Sequence, residues 1–154
     1  MSVSATPRQV FETRTSLIAA GRWEEIADLY AEDTVVETPF ALPIPHRAEG
    51  REAVRAHFAR SGSGAIEMQA ENVRVHETTD PEVIVIECDY RGRFIPTGRT
   101  FDVPSVQILQ VREGLIVSAR DFTNHVVIAA AAGQLPAVLA ALDPQPEPMT
   151  NPND

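Results

Sequence analysis

The 154 residues are enough for one domain and too few for two ordinary ones; a domain of this size buries roughly 68–70 % of its unfolded surface and needs no disulfide or metal staple. Apolar residues at 44 % and charged residues at 23 % give the profile of a soluble globular chain. With 13 basic against 22 acidic residues the formal charge is −9, which repels phosphate backbones and anionic lipid, so no nucleic acid and no membrane is expected as a partner.

Thr6-Pro7 is an N-cap followed by a first-turn proline, and Val10, Phe11, Leu17 and Ile18 continue it as a helix that closes at Gly21. Trp23, Ile26, Ala27 and Tyr30 share one stripe of a second short helix over 23–30. The β-branched run Thr34-Val35-Val36 predicts a short strand. Beyond it, Pro39, Pro43 and Pro45 forbid regular structure in an apolar segment from Pro39 to His46. Such a loop is expected to fold over something, and a lid on a pocket is the use that suits it. Gly50 opens a third helix, from Arg51 to about Ser61, ended by Gly62-Ser63-Gly64. Residues 66–77 and 82–91 read as strands about the turn Thr78-Thr79-Asp80-Pro81. Residues 100–111 and 115–124 read as a second pair joined at Arg112-Glu113-Gly114. A short alanine-rich helix over 126–132 ends at Gly133, and one more turn follows over 136–142. The tail over 143–154 holds four prolines and is expected to be disordered. Helices first and antiparallel strands after give an α+β domain over residues 1–142, with helices on one face of a curved sheet.

Several chemistries lack their signatures. Cys88 is the only cysteine, which excludes an intramolecular disulfide and a multi-cysteine zinc site; flanked by acids, it is a poor candidate for a reactive thiolate. No phosphate-cradling glycine loop, no His-Glu-x-x-His and no Gly-x-Ser-x-Gly elbow is present. The four histidines, at 46, 57, 76 and 125, have no close ligand spacing, so neither a metal nor a cofactor is expected. The N-terminus lacks the basic and apolar regions of a signal peptide, and no stretch approaches the ~20 apolar residues of a membrane span, so a cytoplasmic location is expected.

Acid–base chemistry remains, and two positions stand out. His57 falls with Ala53, Val54, Phe58 and Ser61 on the core-facing stripe of the third helix, either as a satisfied core histidine or facing a cavity. Asp121 continues the row Leu115, Val117, Ala119 on one face of the last strand. A carboxylate at the end of an inward row is partly desolvated, which raises its pKa toward the useful range; otherwise it sits at the sheet edge, solvated or paired with Arg120 or Arg93. Glu87 and Asp89 share a face with Val83 and Val85, either as a catalytic pair or where the strand emerges into water. With a three-residue hairpin loop, Ser105 and Gln107 share the face of Asp121, and a one-residue slip would reverse that. Tyr30, Phe40, Phe94 and Phe122 are pocket or core aromatics.

The segment Trp23 to Asp33, then Glu37-Thr38-Pro39, then Gly50 to Val54, with Glu113 to Ile116 and Ala119 to Phe122 later, resembles the SnoaL-like family of the nuclear transport factor 2 superfamily. Asp80-Pro81, Ile86 to Asp89, Arg91-Gly92-Arg93 and Arg120 to Asn124 are similar to the PhzA/PhzB-like phenazine-biosynthesis proteins within it. The resemblance covers about residues 8–136. It implies a cone-shaped antiparallel sheet closed by three N-terminal helices, and a homodimer formed through the sheet. It also implies that Asp121 is the general acid/base, in a position where the phenazine proteins carry a glutamate, and that His57 and Ser61 are pocket residues. The chain departs from the ketosteroid isomerases, a sister group, at Thr38, Arg14 and Val106, where that group's catalytic residues fall. It also has Gln107 where the SnoaL cyclases often carry histidine.

The reading is an acid–base enzyme of secondary metabolism that binds a small, apolar, carbonyl-bearing substrate and catalyses cyclisation, condensation or isomerisation. Asp121 transfers the proton, and His57 with Ser61 or Gln107 orients or polarises the substrate. Ser105, Phe40, Tyr30 and Phe122 complete the expected binding set, and the Pro39–Pro45 loop is the expected lid. The alternatives are a non-catalytic small-molecule carrier that uses the same pocket and an epoxide hydrolase in which Asp121, Arg93 and Asp89 imitate a two-aspartate site.

Overall fold

Helix α1 (Pro7–Ala19) begins where the sequence signals it. In the structure, a computed structural model that describes residues 2–144, the Thr6 side chain accepts from the Gln9 backbone while the Gln9 side chain accepts from Thr6 N–H. Hydrogen bonds from Gly21 N–H to the Ile18 carbonyl (3.0 Å) and from Arg22 N–H to the Leu17 carbonyl (2.9 Å) close its far end. The face turned inward carries Val10, Phe11 and Ile18, and also an arginine, Arg14.

α2 (Trp23–Ile26) runs into a single 3-10 turn, Ala27–Leu29, and stops there. Tyr30, predicted at the end of this helix, instead adopts extended backbone and opens β1 (Tyr30–Thr38), where it pairs with Ile116. Helix spacing and strand entry coincide at that residue, and the pairing decides between them. A second difference follows. The segment predicted to be irregular up to His46 ends in a strand, β2 (His46–Glu49), that folds back on β1 with Thr38 opposite His46. Only Ala48 of its four residues is buried, so no alternation betrays it. The proline loop before it does not cover a pocket. Phe40 is 64 % and Ile44 72 % exposed, and the Phe40 ring meets Phe122 edge-on, 5.3 Å between centroids, on the outer side of the sheet.

α3 (Arg51–Gly62) buries Val54 and half-buries Phe58 and Ser61, while Ala53 and His57 are largely exposed. The inward stripe is therefore narrower than the spacing predicts. β3 (Ile66–Glu77), β4 (Val83–Phe94), β5 (Thr100–Arg112) and β6 (Leu115–Thr123) follow as a meander, and α4 (His125–Ala131) and α5 (Leu135–Leu142) end the described chain. Residues 145–154, most of the predicted tail, lie outside the described residues. The six strands form one curved, unclosed sheet in the order β2-β1-β6-β5-β4-β3, antiparallel except where β1 runs parallel to β6. α1, α2 and α3 pack on its concave face, where Val10, Phe11, Trp23, Ile26 and Val54 meet Ile84, Ile86, Leu109 and Ile116. A smaller cluster of Cys88, Tyr90, Phe101 and Val103 continues the core beneath α4.

The hairpin between β5 and β6 decides which side chains face that concavity. Its loop has two residues, Glu113 and Gly114, both at positive φ (51° and 78°), the conformation of a tight primed turn that glycine supplies without strain. That loop alone would put Asp121 opposite Val106 and turn it outward. Between Gln110↔Ser118 and Val111↔Ile116, however, β6 carries one extra residue, Val117, a bulge that shifts the register by one. Gln107 then lies opposite Asp121. The predicted inward row is corrected at its start, because Ile116 and not Leu115 or Val117 fills the core. From Ala119 onward the predicted parity holds.

Candidate functional site

The concave face and the three helices enclose a cavity of about 250 Å³. Of the residues singled out in the sequence, Tyr30, His57, Ser61, Ser105, Gln107 and Asp121 line it. Phe40 and Phe122 do not. Phe122 is opposite Val106 on the outer face, where the Arg120 guanidinium lies 5.2 Å from its ring. Phe94 packs on Phe101, 5.5 Å between centroids, and is likewise not a lining residue. Glu87 and Asp89 point to solvent. Glu87 bonds His76 at 2.7 Å and Asp89 accepts from Asn72 at 2.7 Å, while the alternate residues Ile84, Ile86, Cys88 and Tyr90 face inward. Arg93 pairs with Glu67 at 3.3 Å on that outer face, so the epoxide-hydrolase constellation is not assembled.

Asp121 is the only acidic residue among the described residues lining the cavity. Ser105 Oγ donates to its Oδ1 at 2.9 Å, and neither Arg120, held by Glu37 at 3.5 Å, nor Arg93 reaches it. Loss of hydration raises its pKa above the ordinary carboxylate value. The opposing pull of Arg14 is the largest of the stabilising influences, followed by the Ser105 hydrogen bond, His125 and the Phe122 N–H.

Behind Asp121 lies a buried polar network absent from the sequence-based expectations. Arg14, only 6 % exposed, reaches into the cavity wall from α1. Its Nη1 donates to the Tyr30 hydroxyl at 3.1 Å, its Nη2 donates to Gln107 Oε1, and its Nε is buried without a partner. Gln107 Nε2 in turn donates to the Tyr90 hydroxyl at 2.7 Å. A guanidinium cannot accept a hydrogen bond, so the amide oxygen of Gln107 must face Arg14 and its nitrogen must face Tyr90. The guanidinium lies 5.5 Å over the Phe11 ring. No carboxylate comes within ion-pair distance of it among the described residues. Burial pushes the Tyr90 phenol up to about 12, against the pull of Arg14. Burial likewise pushes the Cys88 thiol up to about 11, so it is an inert core sulfur. One signal for Arg14 was available in the sequence: at the spacing of Val10, Phe11 and Ile18 it places a permanent charge on the buried stripe of an amphipathic helix.

At the mouth, the His57 and His46 rings lie 5.4 Å apart. Arg60 Nη2 donates to His57 Nδ1 at 3.3 Å, so the proton of the neutral imidazole sits on Nε2. Although His57 is open to solvent on one side, lost hydration, then His46 and Arg60, push its pKa down to about 4. It is neutral at physiological pH. His125 also lines the cavity, its Nε2 buried without a partner and its pKa lowered by burial, against the pull of Asp121. No three His, Cys, Asp or Glu side chains converge as a metal site among the described residues, nor is any described helix long and apolar enough to cross a membrane.

An open, curved six-stranded sheet around a mostly apolar cavity, capped by N-terminal helices, is the nuclear transport factor 2-like fold. Within it, the chain belongs to the SnoaL-like domain family, whose sequence model matches residues 11–119. It is 32 % identical over 98 residues to an uncharacterized PhzA/B-like protein of Pseudomonas aeruginosa, across 63 % of this chain and 69 % of the relative. A solved structure from Bacillus subtilis, provisionally named an isomerase, is similar at a TM-score of 0.77 and 22 % identity, over 82 % of this chain and 92 % of its own. A phenazine biosynthesis-related protein of Pseudomonas aeruginosa is similar at 0.63 and 16 %, over 99 % and 94 %.

Proposed function

We propose that this chain is an acid–base enzyme that moves a proton on a small, largely apolar, carbonyl-bearing substrate, in a cyclisation, condensation or isomerisation. The observation that carries this reading is the Asp121 carboxyl. It lies in a mostly apolar cavity, is held by Ser105, and its pKa is raised by burial. Desolvation makes it a stronger base than a surface aspartate, and a ketone bound in the cavity would have its α-carbon within reach of this carboxyl. Gln107 is committed to Arg14 and Tyr90, so its part is to hold the wall. His57, neutral with its proton on Nε2, and Ser61 serve as hydrogen-bonding groups near the mouth. The SnoaL-like family and the structural neighbours named as an isomerase and a polyketide cyclase support this chemistry by analogy. A second copy of the chain would pack on the outer sheet face, where Phe40, Val106 and Phe122 form an apolar patch; sedimentation as a monomer at micromolar concentration would contradict that pairing.

The acid–base reading can be tested without knowing the natural substrate. Cyclic ketones, 2-tetralone among them, are incubated with the protein in D2O, and loss of the α-proton signals is followed by NMR. The protein should accelerate exchange for at least one ketone, and Asp121→Asn should reduce that acceleration by about 10²–10⁴-fold. If Asp121→Asn exchanges as fast as the parent, or no ketone exchanges faster than in buffer, the cavity is a binding site and not a catalytic one.

A further inference from the structure

A buried cation with no anion beside it is costly unless something supplies the missing charge. Arg14 comes close to that position: it is nearly inaccessible, has an unpartnered Nε and makes no ion pair, and the anion it feels is Asp121 across the same cavity, a charge that disappears when Asp121 takes up a proton. The hydrogen-bond directions around it have a further consequence. Because Arg14 can only donate, the Tyr30 oxygen accepts from Nη1, and the Tyr90 oxygen accepts through the Gln107 amide. Each phenol therefore keeps its own proton to donate. Both residues line the cavity, and the Tyr90 hydroxyl has Cys88, a weak acceptor, within hydrogen-bond reach on the inward face of β4.

We infer that Arg14, Tyr30 and Tyr90 form an oxyanion site: the two phenol protons receive the oxygen of an enolate, and the guanidinium behind them supplies the compensating positive charge. The inference deepens the proton-transfer reading by naming the enolate as the species the cavity is built to hold. In the step it describes, the Asp121 carboxylate takes a proton from the carbon next to the carbonyl. The C–H electron pair becomes the new C=C bond, the carbonyl π pair moves to oxygen, and that oxygen settles between the phenols. Asp121, now a neutral acid, returns the proton to carbon. Donors fixed in advance in a buried wall favour the anion over the neutral ketone, which is the condition for lowering the barrier. Tyr30 and Tyr90 would be catalytic residues in this sense, and Arg14 and Gln107 positioning residues.

The test reads binding, not turnover. The probes are 4-nitrophenol and its anion, a stable phenolate that imitates an enolate oxygen and whose ionisation is visible by absorbance. The host protein is Asp121→Asn, which carries the neutral side chain present once the proton has moved. Bound 4-nitrophenol should ionise at lower pH than free 4-nitrophenol. Arg14→Met should remove roughly tenfold or more of the preference for the anion, the scale of one charge-assisted hydrogen bond. Tyr30→Phe and Tyr90→Phe, which preserve volume, should each remove a smaller part, and they keep the test open if Arg14→Met does not fold. An anion preference absent from the host protein, or unchanged in both tyrosine variants, overturns the inference. The two claims fail separately. Ketone exchange lost in Asp121→Asn with no anion preference leaves only the proton carrier, whereas anion preference with exchange independent of Asp121 leaves only the oxyanion site.

Discussion

Gln107→Leu is the most demanding test of the buried network, because one side chain holds two other groups in place. Leucine has nearly the same volume but can neither accept from Arg14 nor donate to Tyr90. Loss of a hydrogen bond to a charged donor removes about 1.5–3 kcal/mol, and a stranded buried hydroxyl about 1–3 kcal/mol. The added apolar burial returns about 1 kcal/mol. The balance is a destabilisation of roughly 2–5 kcal/mol, which in a chain of this length lowers Tm by about 4–20 °C. Urea unfolding of parent and variant, followed by circular dichroism, measures it directly. Gln107→Glu is the control: one carboxylate oxygen still accepts from Arg14, and the Tyr90 proton can rotate to meet the other, so its loss should be clearly smaller. A Gln107→Leu loss below about 1 kcal/mol would refute the network as a structural unit, since neither partner would then have depended on it.

Three further outcomes follow from individual residues. The pKa of His57 is pushed down to about 4 in the folded chain, so the unfolded chain binds more protons between there and the ordinary histidine range. Stability should therefore fall as pH drops through that window, and His57→Gln should flatten the fall in a pH series of Tm measurements. At Gly92 an added Cβ would collide with the Glu67 carbonyl oxygen and lie 2.7 Å from both Met68 Cβ and Phe101 Cζ. Gly92→Ala should then destabilise by at least about 1–3 kcal/mol in urea unfolding, whereas an unchanged midpoint would mean β3 and β4 are less closely apposed than described. Cys88, buried and with its thiol pushed up to about 11, should react with iodoacetamide far more slowly than free cysteine at neutral pH in the native state, and at the normal rate in denaturant.

The helices and the four long strands were legible because their signals are local. The Thr6-Pro7 cap, the glycine at position 21 and the turn at 78–81 each act within a few residues. Asp121 was legible for a less direct reason. Alternation along the last strand pointed it inward, but the two-residue loop reverses that parity and the bulge at Val117 restores it, so the outcome depended on two features that the alternation does not contain. Phe40 and Phe122 were misplaced because aromatic identity says nothing about which face a residue occupies; Phe122 follows Asp121 directly and so must point the other way. β2 has one buried residue and carries no pattern of its own. Arg14 and Tyr90 were visible as residues on inward faces, yet their partnership joins α1, β1, β4 and β5 across the concavity, and no spacing within one element encodes that.

The most direct measurement is a titration of the Asp121 side-chain carboxyl by carbon-13 NMR in the ligand-free protein. Its resonance should titrate above the ordinary aspartate value of about 3.9, because burial outweighs the pull of Arg14 and Ser105. Arg14→Met should raise it further, by removing the positive charge that most favours the carboxylate. A midpoint at or below the ordinary value, or one indifferent to Arg14, would contradict the account, because the carboxyl would then be well hydrated and electrically remote from the guanidinium.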